Sequence, residues 1–381
     1  MEIKYQTVPT EKSSLEICRK GLKSLLQRED LGFFRLPFRE AQWKTCENRG
    51  HEAARKAKTL ALLGIGGSSI GVRALVECLC AMPMDREIVF FDNVDAFSFW
   101  NKLTSLEDPS QVHWLVSSKS GSTVETLAQL DFLQQYLGER GLALTPENTT
   151  VVSEARPNPL TKWAMLEKIP LLEIPLDVGG RFSVLSPVGL FPSAFLGFQL
   201  QGLCDGAKAA FENEEMICEL MGQFLQSWQR EEFITVFWGY SDAFRWWGSW
   251  VQQLWAESLA KKVNRKGQAA PRVSTPIGFL GACDQHSVLQ QVAEGFNDKF
   301  ILFMRLITYN VNGIRAAFTK DFLGWLKTAD PDIICIQESK AGNDQIDIES
   351  LEKLGYHSYW HSAVRKGYSG VGIASKIKPN H

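Results

Sequence analysis

No stretch of the chain reaches the roughly 18 consecutive apolar residues of a membrane span. The longest apolar run, Pro187–Phe198, is short and holds two prolines and two glycines. Excess charge of either sign is also missing: 41 Lys and Arg stand against 43 Asp and Glu, a net charge of −2. That balance argues against a strongly basic nucleic-acid binder and against an acidic disordered chain. The eight cysteines (Cys18, Cys46, Cys78, Cys80, Cys204, Cys218, Cys283 and Cys335) form no CxxC pair, and residues 1–14 lack the basic-then-apolar layout of a signal peptide. A cytoplasmic protein with reduced thiols is the expectation. Low-complexity linkers and short tandem repeats are absent. What is present is 381 residues, two to three domains at about 150 residues each. Its 45% hydrophobic and 22% charged residues are those of a folded, soluble protein. Tryptophan crowds toward Phe237–Trp255, as in a thick core or an interface.

The organisation comes from a strand–helix rhythm. Thr59–Gly64, Glu87–Phe91, His113–Ser117, Thr149–Ser153 and Leu171–Ile174 are short apolar runs that predict strands, and Ser69–Cys80 and Ser122–Leu137 between them carry helical spacing. Such alternation predicts a parallel sheet covered on both faces. Further on, Pro187–Gln201, Glu214–Gln229 and Ala243–Lys262 read as helices and Phe233–Trp238 as a strand. Met304–Tyr309 and Asp332–Gln337 read as strands of a segment of different character; residues 304–381 carry ten Lys or Arg and eight Asp or Glu, a balance of +2.

Two loops at strand ends are rich in groups that bind anions. Gly64-Ile65-Gly66-Gly67-Ser68-Ser69 lets the backbone turn tightly and approach an anion, and the helix that follows offers unpaired N–H groups. It is neither a P-loop nor a clean GxGxxG dinucleotide loop. Ser117-Ser118-Lys119-Ser120-Gly121-Ser122-Thr123 places four serines, a threonine and a lysine in one turn. Ligands in such sheets sit beyond the carboxyl ends of the strands, so two donor-rich loops there suit a phosphate monoester. The plainer reading is glycine packing in the first loop and a capped serine turn in the second, with Glu125 answering the helix dipole.

Three more segments follow in order: Asp177-Val178-Gly179-Gly180-Arg181-Phe182-Ser183; Gln253-Leu254-Trp255-Ala256-Glu257-Ser258 with Lys261; and Gly281–Ser287 with Glu294–Lys299. Together with GIGGSSIG and SSKSGSTVET, over about residues 40 to 302, they resemble the phosphoglucose isomerase family, of sugar-isomerase (SIS) fold. The resemblance implies interconversion of glucose 6-phosphate and fructose 6-phosphate through an enediol. It makes Glu257 the base that moves the proton, Arg181 the group that steadies the enediolate oxygen and His286 the ring-opening acid/base, reaching a neighbouring subunit's site. Ser68, Ser118, Lys119, Ser120 and Thr123 would hold the phosphate, and Gly67, Gly180 and Gln253 would line the sugar. A homodimer is implied, with a hexose 6-phosphate as ligand and with no metal or redox cofactor, membrane or nucleic acid. Taken singly, Glu257 reads as a solvated helix residue paired with Lys261 at i+4, His286 as a structural histidine and Arg181 as a surface arginine. The common order of the motifs carries the resemblance.

From Met304, MRLITYNVNGIRAA and IICIQESK resemble the start of exonuclease III-like AP endonucleases, of the endonuclease/exonuclease/phosphatase family. Asn310 and Glu338 match two residues around that family's Mg²⁺ site, and Tyr356, His357, Tyr368, Gly370 and Gly372 lie in a segment like its early sheet. The family's later catalysts find no match, and His357 and His361 do not replace them. The segment is therefore expected not to cleave DNA, and Mg²⁺ is expected only for a complete nuclease. The isomerase resemblance likewise implies about another hundred residues, with a catalytic lysine, that are not found. The expectation is an α/β chain. Residues 1–303 would form a SIS-type doubly wound parallel sheet (first subdomain about 40–185, partial second about 186–303), and 304–381 a partial α/β-sandwich nuclease fragment. Two halves joined near Met304 would leave a sheet edge and an apolar face uncovered. The alternatives are a sugar-phosphate-binding SIS protein without turnover and, less favoured, a DNA-repair endonuclease.

Overall fold

The computed structural model describes residues 10–79, 85–281, 283–305, 307–329, 331, 333–363, 368 and 370–376. Cys80, Ala282, Leu306, Asp332 and the stretch 379–381, each within a segment read above, lie outside the described residues, as do the side chains of Met304, Asn310 and Cys335. Thr10–Leu302 and Phe303–His381 form two compact units, taken here in turn.

In the first unit, helices α1 (Lys12–Leu26), α2 (Glu40–Lys56), α3 (Ile70–Leu79), α4 (Ala96–Ser105), α5 (Val124–Gly138), α6 (Pro159–Leu166), α7 (Pro187–Leu196), α8 (Leu200–Glu212), α9 (Glu214–Gln229), α10 (Arg245–Leu259) and α11 (Gln285–Glu294) surround two sheets. The larger sheet holds β1 (Thr59–Leu63), β2 (Glu87–Phe91), β3 (Val112–Ser117), β4 (Thr149–Glu154) and β5 (Leu171–Ile174), all parallel, in the order β2-β1-β3-β4-β5. Both faces are covered, which is why the strands read as unbroken apolar runs. Leu60 and Leu62 join Leu115, Val152 and Leu172 on one face, under Trp43, Cys46 and Ala53 of α2 and Phe191 and Phe195 of α7. Ala61 and Leu63 turn to the other face with Trp114, Val116 and Val151, under Phe99, Leu130, Leu133 and Leu160. The chain winds outward from β1 in both directions, so the sheet has a switch point between β1 and β3, the place where sheets of this kind bind ligands beyond their strands' carboxyl ends.

The single helix expected over Pro187–Gln201 is two. Gly197 takes φ 89°, where only glycine sits without strain, and its neighbour Phe198 donates back to Ser193 O at 2.9 Å, closing α7. Apolar periodicity could not show this stop, because every residue of α7 is buried. Although α7 begins just past residue 186, it packs in the core of the first sheet.

The smaller sheet holds β6 (Ile234–Tyr240), β7 (Thr275–Leu280) and β8 (Lys299–Arg305), in the order β7-β6-β8, with β6 and β7 parallel. The tryptophan crowd builds its core: the Trp255 ring meets Phe224 and Phe237 edge-on, and Trp238 is fully buried. This layer is thinly covered, since α11 buries no residue.

In the second unit β9 (Ile307–Asn310), β10 (Ile333–Gln337), β11 (His357–His361) and β12 (Val371–Ser375) form a sheet in the order β11-β12-β10-β9. Helices α12 (Ile314–Thr319), α13 (Phe322–Ala329) and α14 (Ile348–Lys353) accompany it, and its core is Ile314, Phe322, Leu326, Ile334, Ile336, Leu351 and Tyr356. The strand expected over Met304–Tyr309 is divided between β8 and β9, which belong to different sheets. The apolar run already starts at Phe300, ahead of Met304.

Candidate functional site

The first loop follows β1 as a tight turn, Gly66–Ser68, closed by Ser69 N donating to Gly66 O at 3.0 Å. Glycine is required here by close approach. A Cβ on Gly67 would stand 2.5 Å from Gly180 O and 2.8 Å from Arg181 N. A Cβ on Gly64 would stand 2.8 Å from Ser117 O, and one on Gly66 3.2 Å from Gln253 Nε2. The first loop is thus packed against the second loop, the Gly179–Gly180 turn and α10.

In the second loop Ser118 is buried and its Oγ lies 2.9 Å from Thr123 Oγ1, with Ser120 Oγ 3.4 Å from the same atom. Ser118 Oγ also accepts from Gly121 N at 3.1 Å. Thr123 stands at the N-cap of α5, yet its side chain caps no helix N–H. The hydroxyls are gathered into one cluster, and the first-turn amides of a 15-residue helix are left for an anion. Lys119 is half-buried beside them.

The third segment is held from below. Arg39 forms an ion pair with Asp177, its Nη1 3.2 Å from Oδ1, and Gly32 N donates to Asp177 O at 2.9 Å. Hydrogen bonding from Arg39 keeps the Asp177 carboxyl below the usual range. Phe182 stacks on Phe33 with ring centroids 4.3 Å apart. Ser183 Oγ donates to Gly180 O at 2.6 Å, which shapes the turn carrying Arg181.

Helix α10 is anchored by Trp255, whose Nε1 donates to Ser274 O at 3.1 Å. Residues two positions away lie about 200° round a helix, so an anchored Trp255 sends Gln253 and Glu257 to the opposite face. There Gln253 Nε2 donates to Glu257 Oε1 at 3.1 Å, Arg181 Nη1 donates to Glu257 Oε2 at 3.0 Å and Arg181 Nε donates to Ser258 Oγ at 2.8 Å. The Glu257–Lys261 pair of the plainer reading does not form: α10 ends at Leu259, and the carboxylate pairs with Arg181 instead. The resulting group is a carboxylate, a fixed cation and an amide beside the glycine-rich first loop, chemically suited to moving a proton next to a developing negative charge.

Gly67, Gly180, Arg181, Gln253 and Glu257 are therefore brought together, and Ser118, Ser120 and Thr123 form their own cluster next to Ser117 and the first loop. His286 is not joined to them. It lies exposed in the first turn of α11, and no hydrogen bond or ion pair ties its ring to another described residue. Ser258, Arg39 and Asp177 were given no role from sequence; the first and last stand inside the quoted motifs, which was the available signal.

In the second unit Asn310 ends β9, and its side chain lies outside the described residues. Glu338 pairs with Lys340, Oε2 to Nζ 3.1 Å. Its carboxylate is thus taken up by a cation that competes with a metal, and among the described residues no group of three His, Cys, Asp or Glu gathers to hold one. Among the described residues, no helix is long and apolar enough to cross a membrane.

Donor-rich loops at the switch point of a parallel sheet, with a carboxylate–guanidinium pair beside the first of them, define an α/β protein of doubly wound type with a polar site at its strand ends. The chain belongs to the phosphoglucose isomerase family, whose model matches residues 38–320. It is 30% identical over 308 residues to a glucose-6-phosphate isomerase of Carboxydothermus hydrogenoformans, covering 76% of this chain and 66% of that one. It is 34% identical over 263 residues to one of Campylobacter jejuni, covering 65% and 61%. Among solved structures, a hypothetical protein of Thermus thermophilus matches with TM-score 0.66 at 31% identity, over 80% of this chain and 75% of that one. A glucose-6-phosphate isomerase of Chlamydia trachomatis matches with TM-score 0.62 at 25% identity, over 71% and 54%. The chain thus spans less than two thirds of the length of these first two curated relatives. Residues 307–381 match the model of the Endonuclease/Exonuclease/phosphatase family.

Proposed function

We propose that this chain acts as a glucose-6-phosphate isomerase, interconverting glucose 6-phosphate and fructose 6-phosphate through an enediol. The observation that supports it most is the Arg181–Glu257 contact beside Gln253. Aldose–ketose isomerisation moves one proton between adjacent carbons. Glu257 takes it from C2 and returns it to C1, while Arg181 faces the oxygen that becomes negative. Ser68, Ser118, Ser120, Thr123 and Lys119 hold the phosphate, the open first turn of α5 adding backbone donors. Gly67, Gly180 and Gln253 line the sugar. His286 serves ring opening in the neighbouring subunit of a homodimer. The reaction calls on no metal or redox cofactor, and the cytoplasm is the proposed location.

A sugar-phosphate-binding module without turnover is the second reading, favoured by the length of the relatives, of which this chain spans less than two thirds. A coupled isomerase assay run beside a glucose 6-phosphate binding titration separates the two. Turnover supports the first reading, and saturable binding without turnover the second.

A further inference from the structure

Resting on the isomerase reading, the chemistry asks that the Arg181 guanidinium stand at a fixed angle to Glu257. A guanidinium is a rigid plane with donors at fixed directions. One hydrogen bond leaves that plane free to swing, whereas two acceptors set its rotation. Arg181 has two on consecutive residues of α10: Nη1 donates to Glu257 Oε2 at 3.0 Å and Nε to Ser258 Oγ at 2.8 Å. A serine near the end of a helix commonly bonds back to the carbonyl four residues before it. Among the described residues Ser258 makes no such bond; its hydroxyl is turned to Arg181 instead. The guanidinium also lies over the Phe182 ring, 4.8 Å from its centroid, which limits motion on a third side.

We infer that Ser258 is a positioning residue: it touches none of the reacting atoms and acts by holding Arg181 in the orientation that meets charge developing beside Glu257. Without its hydroxyl, Arg181 keeps its charge and its place in the chain but loses its set angle. The loss falls on the transition state more than on the bound sugar.

The test compares the full chain with Ser258→Ala and Ser258→Thr. Ser258→Ala is expected to lower kcat about tenfold, the worth of one hydrogen bond to a charged group. KM for fructose 6-phosphate should stay within about twofold. Ser258→Thr, which restores the hydroxyl, should recover most of the rate. A second arm needs no turnover: a five-carbon sugar-phosphate hydroxamate, an anionic mimic of the enediolate, should bind Ser258→Ala about tenfold more weakly. Glucitol 6-phosphate, which lacks that charge, should bind both forms alike. An unchanged kcat and unchanged hydroxamate affinity in Ser258→Ala would overturn the inference and leave the isomerase reading standing. So would a Thr variant that folds but fails to recover. A parent chain that binds the hydroxamate without turnover overturns the isomerase reading alone, and the binding arm then decides the role of Ser258. A parent chain that does neither overturns both.

Discussion

Gly67 and Gly180, 113 positions apart in the sequence, meet backbone to backbone: a side-chain carbon on the first would stand 2.5 Å from the carbonyl oxygen of the second. This contact sets the first loop against the turn that carries Arg181, so its consequence is direct. Gly67→Ala must push two backbones apart, since no flexible side chain can yield. We expect a loss of about 1–3 kcal/mol in stability and at least about tenfold weaker binding of glucose 6-phosphate, read by thermal unfolding and titration. An alanine variant with parental stability and affinity would mean that the two loops are not held together in this way.

Thr123→Val removes the hydroxyl shared by Ser118 and Ser120 while keeping the shape of the side chain. Because Thr123 caps no helix N–H, α5 should be little affected. Stability is expected to change by no more than about 1 kcal/mol, and affinity for the phosphate monoester to fall about tenfold. Equal affinity would detach this cluster from the phosphate.

A pH effect follows from a buried histidine outside the site. His113 on β3 is 1% exposed and its Nε2 lies 2.9 Å from Thr150 Oγ1, an atom that also accepts from Arg49. Burial first, and then the Arg49 cation, push its pKa down to about 3, with Glu52 opposing and Lys56 adding. The unfolded chain protonates this ring near its ordinary 6.5, the folded chain only near 3. Its contribution is therefore complete above about pH 6.5 and is lost as pH falls toward 3, by on the order of a few kcal/mol. The thermal midpoint should fall between pH 7 and pH 4.5 less steeply in His113→Gln than in the parent chain. Parallel slopes would show that another group sets the acid limit.

The parts of this molecule that were legible in the sequence are those whose cause is local. The strands Glu87–Phe91 and Leu171–Ile174 and the helix Glu214–Gln229 have the bounds their apolar patterns imply. The two loops announce themselves by glycine and hydroxyl content. Where the cause is not local, the reading failed or was silent. The buried run of α7 hides its stop at Gly197. The contact of Glu257 with an arginine 76 positions away, in place of the lysine at i+4 that helix spacing alone offers, depends on where α10 ends. Arg39 and Phe33, which steady the Arg181 turn from a segment near the chain's start, carry no motif of their own. Their role is visible only once the chain has folded.

The most direct test of the account is the fate of the C2 hydrogen of glucose 6-phosphate with Glu257→Gln, a change that keeps the shape of the side chain and removes the base. With substrate deuterated at C2, the parent chain should release label to water and form fructose 6-phosphate. The variant should do both slower by about 10²–10⁴-fold while binding glucose 6-phosphate within about threefold. Label release and turnover at the parental rate in Glu257→Gln would contradict the account at its centre.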